Sequence, residues 1–386
     1  MQERPLSLIS SSILSVCFLA ALVLPVTETF LHFGPHIELP EKRRLQAYPQ
    51  FDWDKKTLLF FPGRFEAAFN DHFGLRAFLV RTQALAKFYW LRMSPSSKVV
   101  LGRDGWLYLA ETMAEYRGVK RLPRVRIQAW LEEFKAKKAF FESKNIKYLI
   151  VIAPNKETVY PEFLPTSIHQ IQNKAYADDF ISVVPSDSQS AVLDLREVLI
   201  SAKGAGRLFW KTDSHWNQLG VALASDAIIS RLATWFPELK SQPGPYTYRS
   251  QRGKSGDLAH LMGLADQIHE ERVILSSGVR SVRPAIPRMN KKMKGILSNQ
   301  AVESTDERNR IRAIVTGDSF SNAVSNSLSA HFRRTLKFRP YLSYRDPLFK
   351  TLVAAEKPDV YLEILVDRHL ANPPRVISPE RKVPKR

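Results

Sequence analysis

The chain has 386 residues, with 57 Lys and Arg against 38 Asp and Glu, a net charge of +19, and one cysteine. A 44% hydrophobic, 25% charged composition is that of a folded globular protein and excludes wholesale disorder or a many-spanning membrane protein. One cysteine excludes an internal disulfide framework and a cysteine-based zinc cluster.

The first element is apolar. No residue from Pro5 to Thr27 is charged, and Leu, Ile, Val and Phe dominate. A helix needs about 20 apolar residues to cross a bilayer, which this run supplies, so residues 1–30 are expected to form a signal anchor. Ser10 to Ser12 dilute the run and keep a cleaved signal peptide as the alternative. Val23-Leu24-Pro25-Val26 offers no small-x-small cleavage pattern, which favours retention. Leu14-Ser15-Val16-Cys17 departs from a lipoprotein box, because apolar residues continue past the cysteine. Arg4 is offset by Glu3, and Lys42, Arg43 and Arg44 lie beyond the run, so charge alone leaves its orientation open.

Residues 31–98 read as a helical lead-in. Phe65, Phe69, Phe73, Phe78, Tyr89 and Trp90 recur at roughly helical spacing over 65–92, with Gly74 as a break. Gly102-Arg103-Asp104-Gly105 is a turn between two apolar pieces, 99–101 and 106–109, hence a hairpin. A helix over 125–144 then leads directly into a continuous apolar strand over 148–152. Strands covered on both faces lose their alternation, so this is α/β grammar with a mostly parallel sheet. It repeats as strand 191–195, helix 196–202, strand 208–210, helix 217–236, strand 311–316, helix 319–332 and strand 360–366. Residues 99–370 are expected to form one α/β domain, with polar, irregular excursions from the sheet over 238–310. Residues 371–386, with four prolines and five Lys or Arg, read as a basic disordered tail.

The sharpest chemical signal is Thr316-Gly317-Asp318-Ser319-Phe320, between a strand and a helix. It places Ser319 at a helix N-terminus, where unspent N–H groups and the helix dipole would hold an oxyanion. The same triplet also serves as an ordinary N-cap. A serine nucleophile needs a base, and the base an orienting group. Five of the nine histidines stand within three residues of an aspartate. His72 adjoins Asp71 at a helix end and suits capping; His260 follows Asp257 and His269 follows Asp266 in the irregular stretch. His369 follows Asp367 past the last strand and is the competitor. His215 follows Asp213 in Thr212-Asp213-Ser214-His215-Trp216-Asn217, read as a strand end before a helix, the rim where open α/β sheets build sites. His215 is therefore the expected base and Asp213 its orienter, with helix capping as their alternative role. Asn155 and Lys156 follow a strand on the same rim and are expected to assist the oxyanion or the substrate, against simple loop capping. Asp213, His215, Asp257 and His260 are the set that could converge on a metal, but the serine reading needs none. His32 and His36 enclose Gly34-Pro35 and cannot share a helical face as a zinc motif would.

Taken together, these segments resemble the alginate O-acetyltransferase family (AlgJ/AlgX-like). The matching pieces are Glu41-Lys42-Arg43-Arg44-Leu45, Phe69-Asn70-Asp71-His72-Phe73-Gly74-Leu75-Arg76 and Gly102-Arg103-Asp104-Gly105-Trp106-Leu107-Tyr108. Pro154-Asn155-Lys156, Tyr160-Pro161-Glu162, Thr212 to Asn217 and Gly317 to Phe320 follow in the family's order, over roughly 40–366. The resemblance implies an SGNH-hydrolase-like, flavodoxin-like three-layer domain with permuted motif order. It implies Ser319 as nucleophile, His215 as general base and Asp213 as its partner, with no cofactor and no metal. It further implies export, anchorage in the bacterial inner membrane with the catalytic domain on the periplasmic side, and a membrane-bound O-acyltransferase relaying acetyl groups. No carbohydrate-binding module is recognisable after residue 366.

The expected function is O-acetylation of an exported polysaccharide through an acetyl-serine intermediate. An acetyl-esterase of the same fold, or a non-catalytic glycan-binding scaffold, are the alternatives. Nucleic-acid binding has the charge but lacks a matching motif. The excess of positive charge instead suits an anionic polysaccharide or anionic lipid headgroups.

Overall fold

The computed structural model describes residues 5–35, 44–240, 244–276, 282–285, 301–304, 309–338 and 343–373. The Glu41-Lys42-Arg43 segment and the basic tail from residue 374 onward lie outside these. The chain forms two compact units, one of residues 1–99 with 259–268, the other of residues 100–258 with 269–386.

The first unit is helical. Helix α1, Pro5–Leu31, contains a stretch, Ser12–Leu31, long and apolar enough to cross a membrane, and none of it is buried. Helices α2, Lys55–His72, and α3, Arg76–Leu85, follow, the latter running into a single π-turn over Ala86–Trp90. The break between α2 and α3 falls at Gly74, where any Cβ would collide with the Pro25 carbonyl and the Glu28 carboxylate. The helix begins earlier than the aromatic spacing suggests, at Lys55.

The second unit begins with a two-stranded sheet, β1, Val99–Leu101, and β2, Leu107–Leu109, followed by the short helix α4, Met113–Tyr116. Its frame is a seven-stranded sheet. In chain order the pieces are α5 (Arg124–Glu142), β3 (Lys147–Ala153), α6 (Lys156–Val159), α7 (Tyr176–Ile181), β4 (Val192–Asp194), α8 (Arg196–Ser201) and α9 (Gln218–Ala233). Then come β5 (Tyr248–Lys254), α10 (Asp257–Leu261), β6 (His269–Leu275), β7 (Val282–Ala285), β8 (Ala301–Ser304) and β9 (Arg312–Gly317). Helix α11 (Ser319–Leu328), β10 (Arg334–Phe338), α12 (Pro347–Glu356) and β11 (Val360–Val366) complete it. The strand order is β4-β3-β11-β9-β10-β8-β7; the first five run parallel, and β8 and β7 extend the edge antiparallel.

Side-chain direction in β3 explains the layering. Leu149, Val151 and Ala153 enter one core with α9 and α11, whereas Tyr148, Ile150 and Ile152 enter the other with α5, α7 and α12. A strand buried on both faces can carry no polar alternation, hence the continuous apolar run. The polar exception in β11, Glu363, is buried and accepts from Lys137 Nζ at 2.8 Å and Tyr148 OH at 2.6 Å. The result is a three-layer α/β/α domain with a mostly parallel sheet, as the sequence leads one to expect.

Three expectations are corrected. Leu208–Trp210 is not a sheet strand: the chain doubles back and Phe209 makes a lone antiparallel bridge to Trp216. The stretch 238–310 is not merely irregular, since β5 and β6 pair antiparallel along their whole length. Strand β5 escapes a hydrophobic reading because nearly all of it is exposed. The helix from Ser319 ends at Leu328 rather than 332, leaving room for β10, which adds to the sheet beside β9.

Candidate active site

Ser319 owes its position to regular structure. Strand β9 is held on one side by β11 and on the other by β10, and ends at Gly317. A Cβ on Gly317 would collide with the Ile364 carbonyl oxygen, so the turn can leave the sheet this tightly only with glycine. Asp318 caps α11, its Oδ1 accepting from Phe320 N–H at 2.9 Å, while its Oδ2 accepts from Val366 N–H at 2.7 Å. One carboxylate thus ties the helix start to the end of β11.

Ser319 Oγ lies 2.7 Å from His215 Nε2, and His215 Nδ1 lies 2.6 Å from Asp213 Oδ1. A carboxylate accepts only, so Nδ1 carries the proton and Nε2 is left as the acceptor for the serine hydroxyl. Burial disfavours the Asp213 charge, but hydrogen bonds from His215 and from the Asp257 and His215 N–H groups outweigh it and hold the carboxyl at about 2. The three residues picked from the sequence are therefore brought together, in hydrogen-bonded order.

The His215 side stands on an irregular loop fastened by buried polar groups. Lys156 is buried, and its ammonium donates to the carbonyls of Trp210 at 3.2 Å, Lys211 at 3.1 Å and Asp213 at 2.7 Å. Burial lowers its pKa to about 7, against the pull of Asp213 and Asp257. Glu270 Oε2 accepts from both Thr212 N–H, at 2.7 Å, and Thr212 Oγ, at 2.8 Å. Asn217 caps α9 by accepting from Leu219 and Gly220 N–H at 3.0 and 3.1 Å, fixing where the loop ends.

Asp257 is the residue that sequence reading undervalued. Its two oxygens accept from Ser214 N–H at 2.7 Å and Ser214 Oγ at 2.6 Å, and Oδ2 stands 3.7 Å from His215 Nδ1. The sequence places Asp257 only three residues before His260 and as a metal candidate with Asp213 and His215, not as a partner of Ser214. Asp213, His215 and Asp257 offer ligand atoms within 4.8 Å of one another, as a metal site would. The His215 Nδ1 atom an ion would need is bonded to Asp213, and Asp257 is engaged by Ser214 through both oxygens, so hydrogen bonding accounts for the cluster. His260 is exposed and is not part of it.

Lys156 spends its three protons on the loop, which makes it a support for Asp213 rather than a group facing substrate. Asn155 is buried; its Nδ2 donates to Glu115 at 3.3 Å and its Oδ1 accepts from Arg368 at 3.0 Å. Arg368 in turn lies over the Phe320 ring, 5.3 Å from its centroid, and lines an opening of about 460 Å³ beside Ser319. Glu115, Lys120 and His369 line the same opening. Asp367, the partner suggested for His369, is fully buried and accepts from Ala177 N–H at 2.7 Å, while His369 faces Asp318 at 3.7 Å. Glu115 and Asp367 are a pair of neighbouring buried acids: burial, with the Asp367 charge, raises Glu115 to about 11, and burial raises Asp367 to about 6.

Residues 99–364 match a family described as SGNH hydrolase-like domain, acetyltransferase AlgX. The probable alginate O-acetylase AlgJ of Pseudomonas putida is 28% identical over 142 residues, 35% of this chain and 34% of that protein. Its counterpart in Pseudomonas aeruginosa is 23% identical over 247 residues, 58% of this chain and 56% of that protein. The matched region thus spans between about a third and just over half the length of these relatives. Among solved structures, the O-acetyltransferase domain of Pseudomonas putida AlgJ aligns with a TM-score of 0.46 at 19% identity, covering 71% of this chain and 92% of that one. The family match extends over well more than half of the sequence, and the chain belongs to the AlgX acetyltransferase family of SGNH hydrolase-like domains.

Proposed function

We propose that this chain transfers acetyl groups to hydroxyls of an exported polysaccharide through an acetyl-serine intermediate, with residues 99–370 as the catalytic domain. The observation that supports this best is the continuous relay from Ser319 Oγ through His215 to Asp213, at 2.7 and 2.6 Å. His215 Nε2 takes the Ser319 proton as Oγ attacks the carbonyl carbon of an acetyl ester. The bond to the donor's leaving oxygen then breaks, and that oxygen receives the proton from Nε2. Asp213, held ionised, orients the ring and stabilises the transient imidazolium. In the first turn of α11 the Phe320 and Ser321 N–H groups are taken by Asp318, so the Ser319 N–H is the backbone donor we assign to the developing oxyanion, such a donor contributing about 2.7–4 kcal/mol in comparable sites. In the second half a sugar hydroxyl gives its proton to Nε2 and attacks the acetyl carbon, releasing Ser319, which regains a proton from His215.

Water at the same step would give hydrolysis. Arg368 and Lys120 at the opening favour an anionic acceptor that displaces water, and the names of the relatives refer to alginate. In this reading α1 is retained as a single anchor in the bacterial inner membrane, the catalytic domain is periplasmic, and a membrane-bound O-acyltransferase supplies acetyl groups. The test is incubation with p-nitrophenyl acetate and an alginate oligosaccharide, following acetate, sugar esters and the intact protein mass. Acetyl esters on the sugar and one acetyl group trapped at Ser319 are expected. Unchanged ester cleavage in Ser319→Ala overturns the triad, and acetate as the sole product overturns transfer in favour of an esterase.

A further inference from the structure

Helices α2 and α3 carry an unusual surface. Phe61, Phe65, Phe69 and Phe73 stack in sequence along α2 with ring centroids 5.9, 6.4 and 6.1 Å apart. The ladder does not end in a closed core. Trp53 is 80% exposed, Leu59 74% and Trp90 84%, far more apolar surface than a soluble helix pair leaves in water. Exposed Arg64 and Arg92 punctuate it.

The elbow between these helices is fixed to one level of α1. Gly74 N–H donates to Thr29 Oγ1 at 2.8 Å and Leu75 N–H to Glu28 Oε2 at 3.1 Å. Thr29 and Glu28 lie in the last turn of α1, which ends at Leu31, so at 1.5 Å per residue the elbow sits about 3–5 Å from the end of the apolar span. That is the depth of the boundary between headgroups and acyl chains, where amphipathic helices bury an apolar face about 5–10 Å deep and Trp, Tyr and Arg are favoured.

We infer that α2, the elbow and α3 form a foot that rests in the interface of an anionic bilayer, its Trp and Leu side chains among the upper acyl chains and its arginines at the lipid phosphates. The inference rests on α1 spanning a membrane. Lipid is favoured over a protein partner because the exposed apolar residues are spread along both helices, next to the end of the apolar span, and accompanied by cations, whereas a protein interface would concentrate them in one packed patch. The foot would fix the height and tilt of α2 and α3 against the bilayer, which a single helix leaves free to rotate.

The test uses the full chain in vesicles of phosphatidylcholine with a quarter phosphatidylglycerol, with and without acyl chains brominated near the glycerol. Subtracting the emission of the Trp53→Phe/Trp90→Phe variant isolates the two exposed tryptophans. Bromination should quench that difference at least twofold, and flotation in high salt reads the anchor separately. Flotation without quenching overturns the foot alone and indicates a face covered by protein instead. Failure to float overturns the anchor and the foot together.

Discussion

Ser319 and His215 meet across a 2.7 Å hydrogen bond, yet the two sides of that bond are built differently. The serine side is a ladder: β9 is locked between β11 and β10, and Asp318 caps the helix that begins at once. Its backbone groups satisfy one another. The histidine side is a loop whose carbonyls and N–H groups are satisfied instead by buried Lys156, Glu270 and Asp257. A ladder is insensitive to most side-chain changes, whereas a loop fastened by ionisable groups inherits their fragility and their response to pH.

The largest effect tests whether the serine side carries the chemistry and nothing else. Ser319→Ala should lower acetyl release from p-nitrophenyl acetate by about 10³-fold or more, because nucleophile and base act as a unit. Its melting temperature should stay near that of the wild type, since Oγ bonds only the neighbouring imidazole in the described structure. A large fall in stability would mean that the ladder depends on the relay after all. His215→Ala should cost a similar factor, and the double variant little more than either.

Lys156→Met breaks the other side. It leaves the carbonyls of Trp210, Lys211 and Asp213 without their donor, each such buried group costing about 1–3 kcal/mol. A fall of several kcal/mol in urea unfolding and about a 10²-fold fall in kcat are expected, although no atom of the relay has changed. The pH response has a defined sign. Native Lys156 loses its proton near 7, whereas an unfolded lysine does so near 10.4, so the unfolded chain binds more protons between these values. This group therefore adds a stability that rises with pH from about 7 to 10, and the slope should be shallower in Lys156→Met. Equal slopes in the two proteins would remove Lys156 as the buried donor.

The same contrast governs what could be read from the chain. Strands β3 and β11 announce themselves because both faces are buried and, past the exposed Lys147 at the start of β3, every position is apolar or internally paired. The Gly317-Asp318-Ser319 turn is legible for a related reason: its constraints are local, a glycine at a crowded carbonyl and a cap two residues long. The Asp213–His215 pair was found by spacing, but for an imperfect reason, because Leu208–Trp210 has a strand's composition and a hairpin's geometry. The sequence names Asp257 only as a metal candidate beside Asp213 and His215; its contact with Ser214 is not legible there. Asp257 lies 43 residues from Ser214, beyond the exposed strand β5, and nothing nearby in the sequence marks the contact. Lys156 follows β3 closely, as the sequence suggests, yet its direction depends on a loop whose path only tertiary structure fixes.

Asp257→Asn is a gentler test of the loop. Asparagine can still accept from Ser214 N–H but cannot match the ionised oxygen that Ser214 Oγ meets at 2.6 Å, nor the negative charge 3.7 Å from His215 Nδ1. A fall of about 5–30-fold in kcat with little change in KM is expected, corresponding to about 1–2 kcal/mol for a charged hydrogen bond. Ser214→Ala should give a smaller loss, and the double variant should be less than additive if both act through one contact. Full additivity would mean that Asp257 steadies the loop by some route other than Ser214.

The smallest effect belongs to Glu115, which is buried near the serine yet does not fasten the histidine loop. Burial and the neighbouring Asp367 raise its pKa to about 11, so at neutral pH it is an uncharged acid. Glutamine has nearly the same shape and the same lack of charge, and can present its carbonyl to Asn155 Nδ2 as the carboxyl does at 3.3 Å. Glu115→Gln should therefore hold kcat within about twofold at pH 7, and its unfolding free energy should match that of the wild type below about pH 4, where the acid is uncharged in both states. From about pH 4.3 upward the unfolded wild-type acid ionises while the buried one, beside the Asp367 carboxylate, does not, so the glutamine protein should become increasingly the more stable of the two up to the folded pKa. The sign follows from the raised pKa: the unfolded acid gives up its proton near 4.3, so between that value and about 11 the native state binds more protons, and stability falls as pH rises. Substitution by glutamine should flatten that fall. A large loss of activity at neutral pH would show instead that Glu115 is ionised, and that the opening beside Ser319 is held by charge in the same way as the loop.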